Sequence, residues 1–141
     1  MLRAVIDTNV IVSGTISSSG APYEILEAWR YRKFILVTSE KIIEEVERVF
    51  EYPRIKNAYH LNSKLTKKIL ACLRKYSVIT LGGLKLDIIK DDPTDNMFLS
   101  CAEEDGADFI VSGDGHLLNL GIHKGIQIIT PQQFLKVLKE S

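Results

Sequence analysis

The chain has 141 residues, of which 45% are hydrophobic and 26% charged, a composition that suits one globular domain with a single core. Its 18 Lys plus Arg balance its 18 Asp plus Glu, so no whole-molecule charge draws it to nucleic acid or to an acidic membrane. A nucleic-acid partner would need a local basic patch or a bound cation to offset phosphate charge.

Two cysteines, Cys72 and Cys101, exclude a disulfide framework and a four-thiolate zinc site. Both fall on the apolar side of predicted helices and are expected as buried free thiols. No segment approaches the roughly 20 apolar residues that span a bilayer. No long apolar stretch precedes Asp7, so no secretory signal is expected and the protein is placed in the cytoplasm.

The run Ala4-Val5-Ile6 reads as a strand buried on both faces. It meets Asp7, then Thr8 and Asn9. Val10 to Gly20 follows without an assigned element. Ala21-Pro22 opens a helix carrying Ile25, Leu26, Ala28 and Trp29. Phe34 to Val37 is a second strand. Thr38-Ser39 caps a helix bearing Ile42, Ile43, Val46, Val49 and Phe50, which Tyr52-Pro53 ends or kinks.

Arg54 to Ser63 reads as a polar stretch. Leu65, Ile69, Cys72, Leu73 and Tyr76 then trace an amphipathic helix whose other face carries Lys64, Lys67, Lys68, Arg74 and Lys75. Val78 to Leu81 is a third strand and Gly82-Gly83 a turn; Leu84 to Ile89 is too mixed to place. Asp91-Asp92-Pro93-Thr94-Asp95 starts a helix, with proline at its first position and acids in its first turn. That helix runs through Met97, Phe98, Cys101 and Ala102 to a stop at Gly106.

Phe109 to Val111 is a fourth strand, Leu117-Leu118-Leu120 a short helix, and Ile126 to Ile129 a fifth strand. Pro131 opens a last helix with Phe134, Leu135 and Leu138 inward. This alternation gives an α/β three-layer sandwich around a five-stranded, mostly parallel sheet, as one domain over residues 1–141.

In such sheets ligands bind outside the carboxyl ends of the strands. Asp7 ends the first strand, and Asp114 follows the fourth in Ser112-Gly113-Asp114-Gly115-His116. Asp95 lies in the first turn of a helix that begins at the same edge. Glu45 lies about one turn into the helix after the second strand. Each also has a plainer use: Asp7 and Asp114 as turn formers, Asp95 as a complement to the helix dipole, Glu45 as part of a solvated acidic face, and Asp92 as an N-cap.

Together, like charges at one edge oppose their own ionisation unless a cation is present. Hard carboxylate oxygens suit Mg²⁺ or Mn²⁺. Carboxylates with such ions most often serve phosphoryl chemistry, where two ions lie about 4 Å apart.

Asp7-Thr8-Asn9 after strand one, Ser39 with Ile42-Ile43 and Glu45-Val46, Asp92 with Asp95-Asn96, and Val111-Ser112-Gly113-Asp114 before Leu117-Leu118 resemble, in this order, the PIN domain. Ile128-Ile129-Thr130-Pro131 followed by Phe134-Leu135 resembles its usual end. The likeness is greatest to small prokaryotic PIN proteins often labelled as toxins of toxin–antitoxin pairs.

The resemblance implies a Mg²⁺- or Mn²⁺-dependent ribonuclease acting on single-stranded RNA and leaving 5′-phosphates. It places the four acids on Asp7, Glu45, Asp95 and Asp114. Asn9 and Ser112, with Thr8 beside them, fall where polar residues orient the acids. Where many relatives carry a further acid, this chain has His116. An antitoxin protein and a second copy of the chain are the partners implied. A non-catalytic PIN domain that binds RNA or a protein is the alternative. Phosphatase and receiver folds fit poorly: Asn9 replaces a needed second Asp, and Thr130-Pro131 follows the fifth strand where a Lys is expected.

Overall fold

The computed structural model describes residues 1–84 and 93–141. Six strands form one sheet: β1 (Arg3–Ile6), β2 (Ile35–Ser39), β3 (Val78–Thr80), β4 (Phe109–Val111), β5 (Ile122–His123) and β6 (Ile126–Ile129). Their order across the sheet is β3-β2-β1-β4-β6-β5. All neighbours pair in parallel except β5, which runs antiparallel to β6 at the edge. The five expected strands are present, and the sixth, β5, corrects the strand count. It is two residues long, and a pair of residues carries no readable alternation.

Strand alternation explains the layers. Ala4, Ile6, Leu36 and Val111 face one core, with Ile11, Ile25, Phe50, Leu73 and Phe134. Val5, Val37, Ile110 and Ile128 face the other, with Phe98, Leu99, Cys101 and Leu117. Helices therefore cover both faces. The first layer holds α1 (Thr8–Ile16), α2 (Ala21–Arg30), α3 (Glu40–Phe50), α5 (Ser63–Tyr76) and α8 (Pro131–Glu140). The second holds α6 (Asn96–Asp105) and α7 (Gly115–Leu120). The short α4 (Pro53–Ala58) links α3 to α5.

Two helices occupy stretches that read as irregular. Helix α1 contains the β-branched run Val10-Ile11-Val12, all buried, in which packing overrides propensity. Helix α4 has no buried residue, so it shows no period to read. Cys72 is half-buried, against the expectation, whereas Cys101 is buried. Asp91 and Asp92, including the expected cap, lie outside the described residues. The backbone enters α6 through a 3-10 turn, Pro93–Asp95.

Helix ends obey local chemistry. Ser39 Oγ accepts the Ile42 N–H at 3.3 Å and starts α3. Thr130 and Gln133 form a reciprocal capping box at α8. Gly106, at φ 73°, takes the left-handed position that ends α6. Arg3 then pins that end to the start of β1. Its guanidinium donates to both Asp105 oxygens at 2.9 and 2.6 Å, and its N–H donates to Asp108 Oδ2 at 2.9 Å.

The chain leaves β1 for β2 on one side and later returns to place β4 on the other. The carboxyl ends of β1 and β4 thus flank a topological switch point, where open α/β sheets form their ligand crevice.

Candidate active site

Asp7 and Ser112 are the first residues past β1 and β4, on neighbouring strands at that switch point. Ser112 is fully buried and donates its hydroxyl to Asp7 Oδ2 at 2.6 Å. Ser112 Oγ in turn accepts the Asp114 N–H at 2.9 Å. The other Asp7 oxygen accepts the Asn9 N–H at 3.4 Å and caps α1. The Asp7 N–H continues the sheet by donating to Val111 O at 2.9 Å. Backbone on both sides and two side-chain contacts therefore fix this carboxylate.

Only 4% of Asp7 is exposed. Burial pushes its carboxyl above the usual carboxylate range, and the nearby negative charge of Asp114 adds to this. The Ser112 hydroxyl and the Asn9 and Thr8 amides pull it back. Next to Asp7 in the chain, the buried Thr8 hydroxyl has no hydrogen-bond partner among the described residues.

Asp95, at the start of α6, is buried. It meets Asp114 and His116: one ligand atom from each of the three lies within 4.8 Å of the others. Asp114 caps α7 by accepting the His116 N–H at 2.7 Å, which brings His116 back over the same carboxylate. The His116 ring Nδ1 stands 3.7 Å from Asp114 Oδ1 and is half exposed. Asp7 and Glu45 are not members of that three-residue group. Asp7 joins it through Ser112 and the Asp114 backbone. Glu45 is largely covered and is ion-paired with Arg48 on the same helix, three residues on.

Two hard carboxylate oxygens and an imidazole nitrogen converge in this group with the Asp7 carboxylate nearby, and neighbouring carboxylates that oppose each other's ionisation favour a cation among them. The residues present thus fit a divalent metal ion.

The model of the PIN domain family matches residues 3–116. The chain belongs to the PIN domain family. It is also 30% identical, over 145 aligned positions, to an uncharacterized protein of Methanocaldococcus jannaschii, covering 96% of this chain and 90% of that protein. PIN domains are generally nucleases and typically bind divalent metals, which gives the chain a hydrolase character in kind. The matched span includes the switch-point crevice and all the acids named above. Beyond it, β6 completes the sheet beside β4. No described helix is long and apolar enough to cross a membrane.

Proposed function

We propose that this PIN domain is a divalent-metal-dependent endoribonuclease that hydrolyses phosphodiester bonds of single-stranded RNA. The observation that carries the reading is the convergence of Asp95, Asp114 and His116 beside the Ser112-clamped Asp7 at one carboxyl edge. Asp7, Asp95 and Asp114 would hold Mg²⁺ or Mn²⁺, with Glu45 as the fourth acid. Such an ion supplies Lewis acidity, lowering the pKa of water and offsetting charge on the phosphodiester.

The chain's own groups do the positioning. Ser112 and the Asn9 amide lock both oxygens of Asp7, so the carboxylate meets its ligand without reorganising. The Ser112 hydroxyl also ties Asp7 to the loop that carries Asp114. The packing of α6 buries Asp95 and thereby limits water around it. His116 presents its imidazole on the open side, where a phosphate oxygen or a leaving hydroxyl would meet it.

The likeness to small PIN proteins supports a further reading as a cytoplasmic toxin restrained by an antitoxin, with a homodimer as its assembly. The Arg48 contact on Glu45 favours a second reading, a PIN domain that binds RNA or protein without cutting. Incubation of a labelled single-stranded RNA with Mn²⁺, Mg²⁺ or EDTA separates them. The nuclease reading expects cleavage with either metal, none in EDTA, and 5′-phosphate ends. Cleavage that persists in EDTA, or no cleavage in any condition, contradicts it.

A further inference from the structure

Charge is unevenly spread along this electroneutral chain. From Tyr52 to Leu84 there is no Asp or Glu, while seven of the 18 basic residues fall there. All 18 acids, including those of the candidate site, lie elsewhere. Most of the local excess sits on α5. Lys64, Lys67, Lys68 and Lys75 recur at i, i+3, i+4 and i+11, which places them on one helical face, and all four are exposed.

Among the described residues none of these four has an ion-pair partner, whereas Lys56 and Arg74 are paired with Glu51 and Glu40. The arrangement opposes helix stability in two ways. Lys64 lies in the first turn, against the helix dipole, and no acid is present there. Lys64 also repels Lys67 and Lys68 one turn away.

Beside this stripe runs a groove of about 860 Å³ between α5 and α2. Leu65, Lys68 and Tyr76 line it from α5, and Tyr23, Trp29 and the ion-paired Glu27 and Arg30 from α2. Tyr76 is 57% exposed, with the Lys75 ammonium 5.3 Å from its ring centre. The groove also touches Phe34 and Ile35 where β2 begins, at the sheet edge opposite Asp7.

We propose that α5 and this groove form a docking surface for a single-stranded nucleic acid, with phosphates on the lysine stripe and a base against the exposed Tyr76 ring. Cations that track a backbone beside aromatic faces that stack bases are the two components of single-strand binding. The groove opens at the sheet edge opposite Asp7, so it would hold the flank of a strand rather than its scissile phosphate. The choice of occupant rests on the nuclease reading as well as on charge complementarity.

The test is binding of a fluorescein-labelled 12-nucleotide oligouridine to the full chain in EDTA, by anisotropy across 50–200 mM salt. Trp29, the chain's one tryptophan, reports on the groove through its emission. Replacing the four stripe lysines (Lys64→Gln, Lys67→Gln, Lys68→Gln, Lys75→Gln) should flatten the plot of log affinity against log salt by roughly 0.7 per lysine. Tyr76→Ala should weaken binding several-fold, roughly as the loss of one stacked base, and leave that slope unchanged.

An unchanged slope in the lysine variant, with Trp29 emission as in the wild type, overturns the proposal. So does full affinity in Tyr76→Ala. Competition by polyglutamate as effective as by oligouridine overturns the nucleic-acid occupant and gives the surface to an acidic protein segment. Metal-free binding is independent of cutting. A chain that shows the slope change yet cleaves nothing therefore contradicts the nuclease reading and not this one.

Discussion

Ser112 joins two acids with one oxygen: its hydroxyl donates to Asp7 Oδ2 at 2.6 Å and accepts the Asp114 N–H at 2.9 Å. The contact spans neighbouring strands and holds the Asp114 loop in register with the end of β1. Ser112→Ala removes the bond that orients Asp7 and offsets part of the cost of ionising it, without touching a carboxylate. Partners that orient metal ligands commonly matter 10- to 100-fold. Mn²⁺ affinity, measured by calorimetry, is expected to fall within roughly that range in Ser112→Ala. Wild-type affinity in the variant would separate Ser112 from the site.

Asp7 carries a stability cost in the metal-free protein. Burial, as the largest cause, raises its folded pKa above the unfolded value. The native state therefore binds this proton more tightly than the unfolded one. That contribution is fully present below the unfolded pKa and is lost as pH rises through the folded value. At pH 7 in EDTA, Asp7→Asn is expected to melt above wild type, and the gap should narrow at pH 4. Excess Mn²⁺ should raise the wild type more than the variant. A variant that melts lower than wild type in EDTA contradicts this account.

Glu104 has the opposite sign. Its carboxylate accepts the Leu84 N–H at 2.8 Å and the Gly82 N–H at 3.1 Å, and these bonds hold its pKa below the usual range. Its contribution is present above the unfolded pKa and is lost as pH falls through the lowered folded value. Amide exchange at Gly82 and Leu84, corrected for intrinsic rates, should lose protection at acidic pH before the β1 and β4 amides do. Glu104→Gln should lose the same protection at pH 7.

Gly14 lies on α1 where it packs tightly against α2. A Cβ there would lie 2.6 Å from Pro22 O and 2.7 Å from a Leu26 methyl. Backbone cannot yield as a side chain tip can, so Gly14→Ala is expected to cost about 1–3 kcal/mol through overpacking. Urea denaturation checks this, and an unchanged midpoint would contradict it.

The two thiols should differ. Burial pushes the Cys101 thiol up to about 12, so it stays protonated and shielded, whereas Cys72 lines the groove beside α5. Maleimide should label one thiol per folded chain, at Cys72, and two after denaturation. Labelling of Cys101 in the folded protein would contradict the packing of α6 against the sheet.

Strand runs, helix caps and the order of the acids were legible because each rests on local chemistry. Ala4-Val5-Ile6 shows no polar face, Ser39 precedes a clear helical period, and Asp7 and Asp114 each follow an apolar run. Helix α1 was not legible, because Val10, Ile11 and Val12 favour strand locally and are helical only through burial on several sides. Helix α4 packs only the partly buried Ile55 against the core and β5 is two residues long, so neither leaves a pattern.

At the site, sequence order points four carboxylates at one edge but cannot give their distances; the structure groups Asp95 and Asp114 with His116, links Asp7 through Ser112, and leaves Glu45 outside that group. The closeness of His116 to Asp95 arises from Asp114 capping α7, a short-range turn whose outcome depends on where α6 begins. The engagement of Glu45 by Arg48 is a choice between a partner three residues away and the crevice, and spacing does not decide it.

The most direct test compares wild type with Asp7→Asn on a labelled single-stranded RNA in Mn²⁺, with EDTA as control. The account predicts cleavage by wild type that EDTA abolishes and that Asp7→Asn loses, while the variant stays folded. Equal cleavage by the two proteins would contradict it and remove Asp7 from the reaction.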